Sequence, residues 1–189
     1  MNPENILTDI LAESFNPQAP KKASPLAQWL GIERTPPGMS QKLGNHLEEF
    51  FSRLMGEENA LHILDIIPGT QMPGIKHEGE WHQVDLLAQR GSNFITREMK
   101  VNLQLDRGKK RDTLARDEVI AEALSELELG GVDNGIFCPF LLKSKQVGGL
   151  GWVSGLDWFC ETFPQSGLTP ESFMALGRSS KVHSRLGLS

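Results

Sequence analysis

Asp85, Glu98 and Lys100 are the side chains of this chain best spaced for chemistry. QVDLLAQ, 83–89, and NFITREMKVNL, 93–103, flank the turn-like Arg90-Gly91-Ser92, so the pattern predicts a β-hairpin that carries all three. Residues two apart on a strand share a face, which groups Glu98 and Lys100 with Thr96 and Asn102. Ile95, Met99 and Val101 then point to the core, and Arg97 falls on that apolar side without an evident reason. Asp85 lies midway along its apolar run, where a carboxylate is costly unless paired or bound to a metal. Two hard oxygen donors and an ammonium on one sheet face suit Mg²⁺, which takes few carboxylates and keeps several waters. Such an ion lowers the pKa of a bound water and neutralises charge developing on a phosphate. Lys100 would orient or help deprotonate the attacking water, or stabilise the transition-state anion. The same three residue types also make an ordinary cross-strand ion pair on a solvated face.

The segment that follows changes the balance. RGKKRDTLAR, 107–116, sets Arg107, Lys109, Lys110, Arg111 and Arg116 against one acid, Asp112, in a chain whose formal net charge is −5. Overall charge does not advertise a nucleic-acid binder, so an anionic partner must be met by this local patch. Directly after the carboxylate strand, it is placed to grip a phosphate backbone, although a solvated loop would look the same. With 189 residues, 39% hydrophobic and 23% charged, the chain is long enough for a real core and reads as globular. Cys138 and Cys160 match no zinc or CxxC spacing and are expected to be free thiols in a reducing compartment. No run of about 18 apolar residues is present, so the expectation is a soluble, cytoplasmic protein with no membrane partner.

The elements that must position these residues follow from periodicity. Six of the eleven prolines precede residue 40, setting residues 1–39 apart as a helical arm (3–15) with a Pro-rich linker. SQKLGNHLEEFFSRLM, 40–55, has Leu43, Leu47, Phe50, Phe51 and Leu54 on one side and is a helix, with Ser40 as its expected cap. LHILDII, 61–67, is expected to be a strand ending at Pro68-Gly69. A long helix is expected from Asp112 or Thr113, with Leu114, Val119, Ile120, Ala123, Leu124 and Leu127 inward and Gly130-Gly131 at its end. IFCPFLL, 136–142, reads as a buried strand, VGGLGWVSG, 147–155, as a Gly-rich segment whose VGGLG, 147–151, is a loop, and LDWFCETF and TPESFMALG as short helices. The order α-β-β-β-α-β implies an α/β domain, 40–176, with a central mixed sheet flanked by helices. The basic stretch 177–189 is expected to be a frayed tail that could touch DNA.

That order, with Asp85 and then Glu98-Met99-Lys100, resembles the PD-(D/E)xK nuclease superfamily over about residues 40–143. The resemblance implies Asp85 and Glu98 as metal ligands and Lys100 as the catalytic lysine, with one or two Mg²⁺ per site and Mn²⁺ as a substitute. KLGNHLEEF, 42–50, is similar to the G-N-x-x-E signature on the first helix of several such enzymes, which implies Glu48 as a further acid near the metal; a plain surface Glu fits the helix equally well. Val84 stands where the motif places Pro. EMKVNLQLDRGKKRDT looks like type II restriction endonucleases, which implies double-stranded DNA as substrate, a homodimer, and Asn102 and Gln104 near the bases. The same resemblance admits a Holliday-junction resolvase, a repair or transposition nuclease, or a non-catalytic DNA-binding subunit.

Other candidates are weaker. His77 and His82 have no zinc spacing, and DNA contact fits their position before Asp85 better than metal ligation does. Trp152, Trp158, Phe159 and Phe163 form an aromatic stretch expected to serve in the core or a dimer interface.

Overall fold

A computed structural model describes residue 3 and residues 25–33, 39–103, 105–127 and 130–188. The expected helix 3–15 and Gln104 fall outside the described residues, apart from Pro3 itself. Six named helices are described: α1 (Pro25–Leu30), α2 (Met39–Leu54), α3 (Arg107–Glu126), α4 (Leu156–Thr162), α5 (Pro170–Leu176) and α6 (Ser180–Leu186). The strands are β1 (Asp65–Ile66), β2 (Pro73–His77), β3 (Glu80–Gln83), β4 (Leu86–Arg90), β5 (Asn93–Met99), β6 (Val132–Asp133), β7 (Ile136–Phe137), β8 (Lys145–Val147) and β9 (Gly151–Ser154).

The main sheet runs β4-β5-β7-β9-β8, with β6 also pairing β5. It is mixed: β4–β5 and β8–β9 are antiparallel, while β5–β7 and β7–β9 are parallel. The expected hairpin forms with Arg90 opposite Asn93 and Gly91 at φ +59°, the left-handed conformation a two-residue turn needs. Helices cover both faces. Leu43, Leu47, Phe50 and Phe51 of α2 pack with Met99, Phe137, Phe159 and Phe173 on one side. Ile120, Ala123 and Leu124 of α3 cover Phe94 and Leu87 on the other. A sheet buried on both faces has no solvated side, so Glu98 lies inside the molecule and not on an open surface.

Several elements differ from the sequence reading, each for a local reason. In 61–67, the Asn59 side-chain oxygen accepts the Leu61 N–H and starts a 3₁₀ turn, Leu61–Ile63, leaving only Asp65–Ile66 to pair. That pair joins β2 and β3 in a second, three-stranded sheet that the sequence reading lacks. Its β2–β3 turn places Glu78 and Gly79 at φ +48° and +89°. In 136–142, Pro139 has no N–H to offer a ladder, and the strand stops at Phe137. The VGGLG loop is a tight turn, in which Gly149 and Gly151 at positive φ bring β8 back onto β9; these two strands, absent from the sequence reading, join the main sheet through the pairing of β9 with β7. Helix α3 starts at Arg107, not Asp112, because Asp106 accepts the Lys109 N–H as its cap; Leu127, expected inward, is 45% exposed. The fixed basic residues 107–111 therefore form the first turns of a helix.

The C-terminal stretch is also ordered. Helix α6 buries Val182 and Leu186, and the His183 Nε2 meets the carbonyls of Leu30 and Gly177. Its partner surface includes α1, whose Trp29 stacks on Phe173 with ring centroids 5.1 Å apart and donates Nε1–H to the Phe173 carbonyl. Residues 25–30, read as the edge of an N-terminal arm, thus belong to the main core. Gly177 permits this approach, since a Cβ there would sit 2.5 Å from the Trp29 ring and carbonyl. Trp158, Phe159 and Phe163 are core aromatics as expected, but Trp152 is 58% exposed. Among the described residues, no helix is long and apolar enough to cross a membrane.

Candidate active site

The antiparallel β4–β5 register ends with Leu86 opposite Arg97, so its continuation sets Asp85 against Glu98. The strand ends are tied by a hydrogen bond in which the Met99 N–H donates to Asp85 Oδ2 at 2.9 Å. Gln83 Nε2 donates to Asp85 Oδ1 at 3.2 Å and reaches Glu48 Oε2 on α2 at 3.5 Å. Glu98 Oε1 is shared by the Lys100 ammonium and the Arg116 guanidinium from α3. Its Oε2 is buried without a hydrogen-bond partner, and the Glu98 side chain is 1% exposed. Lys100 therefore links the side chains singled out by spacing: it pairs with Glu98 and lies within electrostatic reach of Asp85 and Glu48.

Their electrostatics follow from burial. Burial, then the neighbouring Asp85 carboxylate, pushes the Glu48 pKa up to about 8, against the pull of Lys100 and Arg116. Asp85 is also raised by burial, opposed by Arg116, the Met99 N–H, Lys100 and Gln83. Burial lowers the Lys100 pKa, while Asp85 and Glu48 favour its charged form. Acids held up and an ammonium held down in one place are the arrangement from which proton-transfer chemistry is built.

Two clefts flank the cluster. One, of about 280 Å³ between α2 and the small sheet, is lined by Glu48, Gln83 and Asp85. The other, of about 330 Å³, is lined by Lys100, Lys109, Thr113 and Arg116. The basic residues divide accordingly. Arg107, Lys109 and Arg111 are exposed on α3, with Lys109 3.9 Å from Asp106 and Arg111 3.6 Å from Asp112. Lys110 turns to the Gly148 carbonyl at 2.5 Å, and Asn102 is exposed on the strand exit. Arg116, read from sequence as a phosphate ligand, is bound to Glu98.

The fit to a divalent cation can be judged from the donors. Among the described residues, no three His, Cys, Asp or Glu side chains are gathered so as to hold a metal. Mg²⁺ needs fewer, commonly one or two carboxylates with water and substrate phosphate completing its shell. With Asp85 Oδ2 taken by Met99, Asp85 Oδ1 holding the Gln83 amide and Glu98 Oε1 two cations, the orphaned Glu98 Oε2 is the hard oxygen left for it, and Asp85 Oδ1 could join by yielding its 3.2 Å bond. An unpaired buried carboxylate oxygen is expensive, and a cation is what would satisfy it. The residues fit on that ground.

Sequence reasoning missed Gln83, the last residue of β3, which holds Glu48 and Asp85 together; its place two residues before Asp85 was the available signal. It also left Arg97 unexplained. Arg97 makes a two-pronged ion pair with Asp133 at 2.9 and 3.0 Å and lies over the Trp158 ring at 4.4 Å. His77 is 3.5 Å from Glu126 and 3.9 Å from Glu122 of α3, an ion-pair setting away from the carboxylate cluster. Both cysteines are free thiols. Compared with protein-family models, curated proteins and solved structures, the chain finds no match.

Proposed function

We propose that the chain is a Mg²⁺-dependent DNA endonuclease on the PD-(D/E)xK plan, most readily a homodimeric type II restriction enzyme cutting double-stranded DNA. The observation that carries this reading is the meeting of Asp85, Glu98 and Lys100 at the open end of β4–β5, with one Glu98 oxygen unpartnered. Support comes also from the mixed sheet with a helix on each face and from the basic first turns of α3 beside the cluster.

In this reading Asp85 and Glu98, with Glu48 beside them, would hold one or two Mg²⁺ or Mn²⁺ ions. The bound ion would supply a water of lowered pKa and neutralise charge on the phosphate. Lys100, ion-paired to Glu98 and shielded from solvent, would orient the attacking water and stabilise the phosphorane-like anion. Arg107, Lys109, Lys110 and Arg111 would hold the backbone, with Asn102 and Gln104 near the bases. Gln83 would keep Glu48 and Asp85 in register. Two copies, each with one site, would cut the two strands of a symmetric sequence.

Single replacement of Asp85, Glu98 or Lys100 by Ala is expected to reduce plasmid cleavage at least about 10³-fold, since each acts in the transition state. The variants should stay folded and bind DNA. Mg²⁺-dependent cutting retained by any of them would count heavily against the assignment. Discrete bands with the parent chain indicate a sequence-specific enzyme, and a smear a nonspecific nuclease. Preference for junction or flap substrates over linear duplex would indicate a resolvase or repair enzyme. One observation favours a second reading, a non-catalytic DNA-binding subunit: Glu98 Oε1 already has two cationic partners. A plasmid left unnicked with Mg²⁺, as with EDTA, would select it.

A further inference from the structure

Arg116 joins the buried carboxylates to the basic surface. Its guanidinium pairs with Glu98, whose side chain is 1% exposed, while its own side chain is 36% exposed. It lines the same cleft as Lys100 and Lys109. One group thus neutralises a buried acid and borders the space where a phosphate would lie. Glu98 has one oxygen shared between Lys100 and Arg116 and one with no partner. A carboxylate so buried must keep a cationic neighbour, because removing its partner leaves an uncompensated charge. Lys100 stays on Oε1 throughout, and a divalent ion entering at Oε2 would put like charge beside the guanidinium, so the second cation on this carboxylate is one or the other. A guanidinium fork also matches the oxygens of carboxylate and phosphate alike, which an ammonium does not.

We propose that Arg116 is a positioning residue that clasps Glu98 until a divalent cation takes its place, and that the freed guanidinium then pairs with a DNA phosphate. This rests on the nuclease reading. It makes cation and DNA binding reciprocally favourable, since each ligand releases Arg116 toward the state the other prefers.

The test is calorimetric titration of Ca²⁺ into the parent chain, Arg116→Ala and Arg116→Lys. Each is titrated with and without a short DNA duplex of mixed sequence, Ca²⁺ being used so that binding is read apart from cleavage. Without DNA, Arg116→Ala is expected to bind Ca²⁺ at least about five-fold more tightly than the parent, the low end of ordinary coupling. The duplex should then raise its Ca²⁺ affinity by a smaller factor than it does for the parent. Arg116→Lys keeps the charge, loses the fork, and should fall between the two; if the Ala variant does not fold, this comparison carries the test. Ca²⁺ binding that is equal in parent and variants, or weaker in the variants, would mean an ion pair that only stabilises the fold, and would overturn the clasp alone. Absence of Ca²⁺ binding in every chain, with DNA or without it, would overturn the metal-dependent nuclease reading and the clasp together.

Discussion

A carboxylate removed from water titrates differently from one in solution, and Glu48 carries the consequence. Unfolded, this side chain titrates near 4.5; folded, near about 8, so the native chain holds an extra proton between those values. Stability from this group is therefore fully present below the unfolded pKa and is lost as pH rises through the folded one. Glu48→Gln keeps the shape and removes the titration. Its melting temperature should match the parent below that window and exceed it above by about 3 °C or more, equivalent to roughly 1 kcal/mol for a chain of this size. Parallel melting curves for the two chains across the window would show that Glu48 is not a buried acid. Asp85, Glu98 and Lys100 were singled out by residue type and strand period together with the basic segment after them and the family resemblance. Gln83 and the Arg116–Glu98 pair were not, because neither a bridging amide nor a helix-to-strand ion pair leaves a periodic trace.

Helix α3 shows how an element can oppose its own charge pattern. Its first turn has Arg107, Lys109 and Lys110 and no acid, an arrangement that the positive end of the helix dipole disfavours. Asp106 offsets this as the cap, accepting the Lys109 N–H at 2.9 Å. Asp106→Ala is expected to cost about 1 kcal/mol, lowering the melting temperature by about 2–4 °C, while Asp106→Asn should recover most of it. A neutral result for Ala would mean that the helix start is held from elsewhere. The sequence reading placed Ile120, Ala123 and Leu124 of this helix inward correctly and Leu127 wrongly, and it began the helix at Asp112 or Thr113, since four basic residues within five look like a loop to any charge-based rule. The cap residue was the better signal. Helix α2 was legible from its apolar stripe, and α5 carries a Thr169 capping box that the structure brings out, whereas β8 and β9 hid behind four glycines.

At the scale of the molecule, a chain of formal charge −5 would have to meet DNA, as proposed, through one local patch. If Arg107 and Lys109 each neutralise a phosphate, replacing either with Ala should lower the slope of log affinity against log salt concentration by about one. An unchanged slope would place the DNA elsewhere on the surface. What the sequence by itself determined were the features carried by local period: the β4–β5 hairpin, the amphipathic helix α2, and an α/β order with Asp85 facing Glu98. Tertiary structure alone decided what lies around them. Burial of the sheet on both faces enclosed Asp85 and Glu98, which strand period alone left as candidates for a solvated face. Docking of α1 and α6 brought residues 25–30 and 180–186 into one core. Both depend on contacts between residues far apart in the chain, and local period holds no information about which distant face will cover a given side chain.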